Sequence, residues 1–303
     1  MKQTRRQFLT NASAVGTAIA LPGINIQPAH SAAKAGFAIK MYATRWGHKG
    51  SMDEFCKQAK NEGYDGVEDW IPGDKQQEEA LFEAIEKYDL SYAALCGSGK
   101  NTFSEHKDDF SRNLKKALSK KPDFINCHAG RDFFSFDENR QIIDLAVRTS
   151  KESGVPIYQE THRGRMLFAA HICADYLKAI PELRLTLDIS HWCAVAESLL
   201  ANQKKAIDLA ISRSEHVHAR IGHAEGPQVS DPRAPEWQKA RNAHYDWWDK
   251  VVARKKAAGE VLTVTPEFGP ADYMWTTPYT RQPLADQWGI NAHMMNEWRK
   301  RYL

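Results

Sequence analysis

Residues 216–220 read His216-Val217-His218-Ala219-Arg220. Side chains alternate across a β-strand, so His216, His218 and Arg220 share one face, and Val217 and Ala219 share the other. In a closed parallel barrel the apolar residues pack outward against helices, so the polar face must point inward. Imidazole and carboxylate groups are costly inside a barrel unless they are paired or bound to metal. That cost marks a site. Three other runs have the same design: Tyr158-Gln159-Glu160-Thr161-His162, Leu185-Thr186-Leu187-Asp188-Ile189-Ser190-His191, and Thr263-Val264-Thr265-Pro266-Glu267. Each is a β-rich stretch that arrives at a carboxylate, and Tyr158, Glu160 and His162 again share a face.

Working outward, eight strand-like runs alternate with helical ones. The strands are expected at 37–42, 64–70, 90–96, 123–128, 155–162, 183–189, 216–221 and 261–267. Helix starts are written as Ser51-Met-Asp-Glu54 and Ser135-Phe-Asp-Glu138, capping boxes in which serine and glutamate satisfy each other's free backbone N–H groups. Asp74 with Gln77 is a further start. Gly63, Gly154 and Gly259 follow helical runs, where a left-handed residue ends a helix cheaply. Eight βα units predict an α/β fold, a single-domain (β/α)8 TIM barrel spanning residues 34–303. An open doubly wound sheet is the alternative, but Met41–Gly47 carries no glycine-rich nucleotide or phosphate loop. The longest irregular piece, 223–235, holds three prolines and follows the seventh strand, so it is expected to border the pocket.

Residues 1–33 read as a removable signal. Thr4-Arg5-Arg6-Gln7-Phe8-Leu9 is a twin-arginine pattern, followed by a mild apolar run, Ala12–Leu21, and small residues around Ser31-Ala32-Ala33. The apolar run is too short to span a bilayer, so no stable membrane span is expected. The reading implies the twin-arginine export machinery as a partner and a periplasmic or secreted location. Lys2, Arg5 and Arg6 account for the whole formal charge of +3, so the remainder is neutral. A neutral chain lacks the basic footprint that nucleic-acid binding requires. The five cysteines are scattered, odd in number and form no CxxC pair, so buried thiols are expected rather than disulfides.

Glu160, Asp188, His218 and Glu267 fall at the ends of strands five to eight, 28, 30 and 49 residues apart. Three oxygen donors and one nitrogen suit a single Mn²⁺, Mg²⁺, Co²⁺ or Zn²⁺ without selecting among them. The competing reading is a buried ion-pair network with Arg163, Arg165 or Arg220. His128 ends strand four and is read either as a pocket residue or as a hydrogen-bonded core histidine. Glu68 is read either as a sugar ligand or as a brace for the barrel. His162 and Arg163 stand beside Glu160, while Trp46 and His48 follow strand one at the mouth. Trp237, Trp247 and Trp248 are expected to pack the seventh helix on the barrel, and His106 and His244 to lie at the surface.

Taken with Gly63-Tyr-Asp-Gly-Val-Glu68, Asp188-Ile-Ser-His191 and Thr265-Pro-Glu267-Phe-Gly269, these motifs resemble the xylose isomerase-like TIM-barrel superfamily. That superfamily contains sugar isomerases, ketose 3-epimerases and AP endonuclease family 2 enzymes of the endonuclease IV type. The order and spacing of the motifs cover nearly the whole chain after residue 33. The resemblance to ketose 3-epimerases implies one metal on Glu160, Asp188, His218 and Glu267, with Glu160 and Glu267 as acid and base. It also implies a substrate contact from His191. Those epimerases carry an arginine six residues past the metal histidine, where this chain has Ala224, so Arg220, His223 and Arg233 are the candidates to replace it. A three-zinc nuclease site lacks its ligands: strands two and three offer Glu68 and Cys96, and Arg233 stands where a histidine is needed.

The expectation is therefore a metal-dependent isomerase or epimerase. It would work through an enediolate on a neutral sugar or keto-sugar, with His191, His162, Arg220, His223, Glu68 and His128 contacting the substrate. A keto-glycoside β-elimination lyase on the same metal site is the next reading. A metal-dependent hydrolase and a non-catalytic sugar-binding barrel follow it.

Overall fold

The computed structural model describes residues 36–303. The twin-arginine pattern, the apolar run and the small residues after it lie outside the described residues. Among the described residues no helix is long and apolar enough to cross a membrane.

Eight parallel strands close into a barrel in sequence order. They are β1 (Ala38–Thr44), β2 (Gly66–Trp70), β3 (Ser91–Gly97), β4 (Phe124–His128), β5 (Ile157–Glu160), β6 (Leu185–Leu187), β7 (Ser214–His218) and β8 (Val261–Thr265). Among the described residues nine α-helices surround it: α1 (Met52–Glu62), α2 (Lys75–Lys87), α3 (Phe103–Ser119), α4 (Phe136–Ser153), α5 (Ala170–Ala179), α6 (Ile189–Val195), α7 (Lys204–Ser212), α8 (Gln238–Ala258) and α9 (Gln287–Tyr302). Both capping boxes form, at α1 and α4, and Asp74 accepts from the Gln77 N–H. Gly63, Gly154 and Gly259 end α1, α4 and α8 in the left-handed conformation. All five cysteines are buried and free.

The inside of the barrel is layered. At the bottom Tyr42 meets Phe124 edge-on, and Tyr158 stacks on Phe124. Gly66 makes room for this plug, because a Cβ there would lie 2.6 Å from the Tyr42 ring. One layer up, Glu68, Asn126, His216 and Thr265 are all buried and polar. Above them stand the carboxylates and imidazole at the strand ends. The strand register sets Thr44 beside Glu68 and His218 beside Thr265.

Trp247 and Trp248 pack against the barrel as expected, but Trp237 precedes α8 and is only half-buried. His106 and His244 are not surface residues: both are fully buried. Each has backbone partners at both ring nitrogens. His106 meets Lys100 O at 2.8 Å and the Gly130 N–H at 3.0 Å; His244 meets Ala240 O at 2.9 Å and the Gly222 N–H at 3.2 Å.

Burial pushes the His244 pKa down to about 4, against the hydrogen bond to Ala240. An unfolded histidine titrates near 6.5, so the unfolded chain takes up its proton first as pH falls. The stability that depends on a neutral His244 is complete above that value and is lost as pH falls through about 4, by roughly 3 kcal/mol. Melting of His244→Asn across this range shows a shallower pH dependence than the wild type, whatever its absolute stability. An unchanged slope contradicts the assignment.

Candidate metal centre and cavity

The local sequence aims each strand-end group inward. Glu160 is the last residue of β5. Asp188 follows β6 and caps α6, its Oδ1 accepting the Ser190 N–H at 2.9 Å and the Ser190 hydroxyl. The backbone of Asp188 is pinned to the Thr161 hydroxyl, donating to it at 2.8 Å and accepting from it at 2.9 Å. His218 is the last residue of β7, and Glu267 lies two residues beyond β8. All four are buried, and one ligand atom from each lies within 4.8 Å of the other three.

The polar atoms of this group face one another without satisfying one another. His218 Nδ1 is 3.0 Å from Glu267 Oε2 and 3.5 Å from Glu160 Oε2, yet it makes no aligned hydrogen bond. Glu160 Oε1 is buried without a partner. Buried polar atoms rarely stay unpaired, and acceptors converging on one point fit a cation. The charges agree: among the described residues, the guanidinium within ion-pair distance of these carboxylates is that of Arg220, which meets Asp188 and Glu267. Burial disfavours a charged His218 ring, but Glu267, Glu68 and Glu160 outweigh it and hold its pKa well above the ordinary value. Burial raises Asp188 to about 6 against the pull of Arg220, with Glu160 and Glu267 adding to the rise. Glu160 is also desolvated, but His128 and His218 hold its carboxyl well below the usual range.

Glu68 lies beneath the centre rather than in the cavity. It accepts from His218 Nε2 at 3.1 Å, from Asn126 at 3.0 Å and from the Thr265 hydroxyl, with His216 Nε2 at 3.3 Å. A carboxylate on Nε2 holds the proton there and leaves Nδ1 as the ligand atom. Glu68→Gln should therefore weaken divalent-metal affinity by about 10–100-fold, measured by competition with a chelator. Unchanged affinity removes Glu68 from this role.

A cavity of about 390 Å³ opens above the centre. Glu267, Arg220, His128 and His162 line one end, and Tyr273 the wall. Arg220 is buried, with Nη2 2.6 Å from Asp188 Oδ2, Nη1 3.4 Å from Glu267 Oε2, and its guanidinium 4.9 Å from the Tyr273 ring centre. The ion-pair network and the candidate ligand set are thus interlocked: Arg220 bridges two of the four carboxylate and imidazole residues. His128 Nε2 is 2.6 Å from Glu160 Oε2 without hydrogen-bond alignment, a contact that places an imidazole between Glu160 and the cavity.

Besides Glu68, two more expected substrate contacts sit outside the cavity lining. His191 is wholly buried behind Arg220, 2.7 Å from its Nη2, with its ring 3.8 Å from that of His162. His223 packs in an aromatic group with Trp237 and Trp275, away from the cavity lining. The 223–235 loop does not border the cavity. Its Gln228 instead clamps Gly269, accepting from the N–H at 2.7 Å and donating to the carbonyl at 3.2 Å, which fixes the turn after Glu267. Arg233 is paired with Asp231 in the same loop at 2.6 Å. Asn126, Tyr273, Arg45 and Asp69 were not anticipated. Asn126 was within reach of the alternation rule, two residues before His128 on β4.

No protein-family model and no curated protein matches the chain. Solved structures do. The apo 3-keto-D-glucoside 4-epimerase from E. coli is 14% identical and covers 87% of this chain and 100% of its own, with a TM-score of 0.60. A xylose isomerase-like TIM barrel protein from Mycobacterium smegmatis, in complex with magnesium, is 9% identical over 85% of this chain and 94% of its own, with a TM-score of 0.58. An AP endonuclease of family 2 from Brucella melitensis is 12% identical over 87% and 99%, with a TM-score of 0.55. The chain is therefore similar in fold to xylose isomerase-like TIM barrels, a fold carried by sugar epimerases and AP endonucleases alike.

Proposed function

We propose that this chain is a metal-dependent enzyme that moves a proton at a carbon beside the carbonyl of a neutral sugar or keto-sugar. The observation that carries this reading is the buried convergence of Glu160, Asp188, His218 and Glu267 beneath the cavity. These four would hold one divalent cation, which supplies Lewis acidity toward a carbonyl and its neighbouring hydroxyl. Mn²⁺, Mg²⁺, Co²⁺ and Zn²⁺ all suit the donors.

The chain's own groups divide the proton transfers. Glu267 borders the cavity and takes the proton from carbon, giving an enediolate. His128 stands on β4, opposite β8 across an eight-stranded barrel, and is backed by Glu160 at 2.6 Å. That pair returns a proton to the other face. Arg220 balances the carboxylates, and the His162 Nδ1–H donates to the Arg163 carbonyl, so His162 Nε2 offers an acceptor to a substrate hydroxyl. Return to the opposite face of the same carbon is epimerisation, and the cross-barrel placement favours it. Return at the neighbouring carbon is isomerisation. Loss of a β-substituent from the same enediolate gives the lyase reading.

The E. coli 3-keto-D-glucoside 4-epimerase supports a sugar reading at the level of fold. The Brucella neighbour keeps nucleic acid as the rival substrate, but the neutral charge beyond residue 33 and the closed Asp231–Arg233 pair weigh against a nuclease. The twin-arginine pattern supports action in the periplasm, where neutral sugars outnumber phosphorylated ones. Incubation of the metal-loaded protein with keto-sugars in D₂O tests the reaction. Deuterium should enter at the carbon beside the carbonyl. A binding protein leaves every carbon-bound proton in place, and a hydrolase cleaves without exchange. Equal or faster turnover of phosphorylated substrates would remove the preference for neutral ones.

A further inference from the structure

The cavity extends well past the candidate centre. The four strand-end groups come from β5 to β8, whereas the other end of the cavity is built on β1 to β3. In an eight-stranded ring the β2 end, with Asp69 and Trp70, lies across the mouth from Asp188 after β6. A volume of about 390 Å³ falls toward the lower end of the range of pockets that bury drug-sized ligands, about 300–1,000 Å³.

The chemistry of that far end is distinct. Trp46 and Trp70 are 37% and 44% exposed, an unusual display for such large apolar rings. Both are held in place. Trp70 meets His128 edge-on at 5.4 Å, and Trp46 meets Tyr273 edge-on at 4.9 Å. Gly269 lets Trp46 lie there, since a Cβ on it would be 2.3 Å from the indole. Gln287 fixes the same loop by donating to Trp46 O at 2.6 Å. Between the tryptophans stands the Arg45–Asp69 pair. Asp69 is almost fully buried, accepts the Trp70 N–H at 2.8 Å and takes Nε and Nη2 of Arg45. Among the described residues Arg45 Nη1 has no hydrogen-bond partner, and its charge is matched by Asp69. That end therefore offers flat apolar faces and a charge-neutral set of polar groups. It suits the C–H faces and hydroxyls of an uncharged ring better than a phosphate.

We propose that the β1–β3 half of the cavity is a subsite for a second sugar ring, so that the substrate is a glycoside of the reacting sugar rather than a free monosaccharide. This inference rests on the sugar reading above. It places specificity at Arg45, Trp46, Asp69 and Trp70.

The test compares 3-keto-glucose with a 3-keto-glucosyl-glucose disaccharide in the D₂O exchange assay, using the full metal-loaded protein. The ratio of kcat/KM, two-ring over one-ring, should be at least tenfold. It should fall about tenfold in Trp70→Ala and in Trp46→Ala, whose side chains are exposed enough to remove without opening the core. A ratio near one in the wild type, or a ratio unchanged in both variants, overturns the subsite. If neither substrate exchanges, the reaction reading fails and calorimetry with unoxidised glucosyl-glucose and glucose decides the subsite alone. Binding of the disaccharide at least tenfold tighter than glucose, with the preference lost in Trp70→Ala, upholds it; equal affinities overturn it.

Discussion

Glu267→Gln should slow deuterium exchange into substrate by about 10²–10⁴-fold, the usual contribution of a positioned general base. Among the four strand-end residues Glu267 is the one that lines the cavity, whereas Glu160 reaches it through His128. The glutamine keeps the shape and an oxygen ligand but cannot accept the proton. Metal content must be followed in the same sample, because Glu267 also belongs to the candidate ligand set. A variant that holds metal and has lost exchange identifies the base. One that holds metal and still exchanges at the wild-type rate assigns the proton to another group.

Arg220→Met should destabilise the metal-free protein by about 3–5 kcal/mol, the typical cost of breaking a buried ion pair from one side. The guanidinium is wholly buried between Asp188 and Glu267, also donates to Ser190 and lies against Tyr273. Methionine fills much of the volume and leaves the two carboxylates uncompensated. For a chain of this size the loss lowers the melting temperature by roughly 10 °C. Metal loading should restore much of it, since a divalent cation offsets the same carboxylates. A melt that falls equally with and without metal would separate Arg220 from the metal centre.

The barrel was legible because the runs of β5 to β8 arrive at a carboxylate or an imidazole and α1, α2 and α4 carry capping signals. Strand ends were less so. The period-two pattern runs on through His162, Ile189 and Ile221, but the ladders stop at Glu160, Leu187 and His218. Asp188 turns the chain directly into α6, and Ile221 is a buried loop residue that accepts the Val229 N–H at 2.9 Å. Burial, not strand pairing, keeps these residues apolar. The inward face of β7 was readable, and with it His218. The place of Glu68 was not, because its partners His218, Asn126 and Thr265 come from strands that only barrel closure brings together. The same closure, through the β1–β8 pairing, joins Trp46 to Tyr273. His106, His223 and His244 were misplaced because their partners are backbone atoms and aromatic rings in distant loops and neighbouring helices, which residue type does not announce.

Glu160, Asp188, His218 and Glu267 should together hold a single divalent ion. Counting divalent ions per chain after reconstitution with Mn²⁺ or Zn²⁺ and removal of excess, in the wild type and in Asp188→Asn, tests it most directly. One ion per chain is expected in the wild type, with a marked loss in the variant. No bound ion in the wild type, or three, would contradict it.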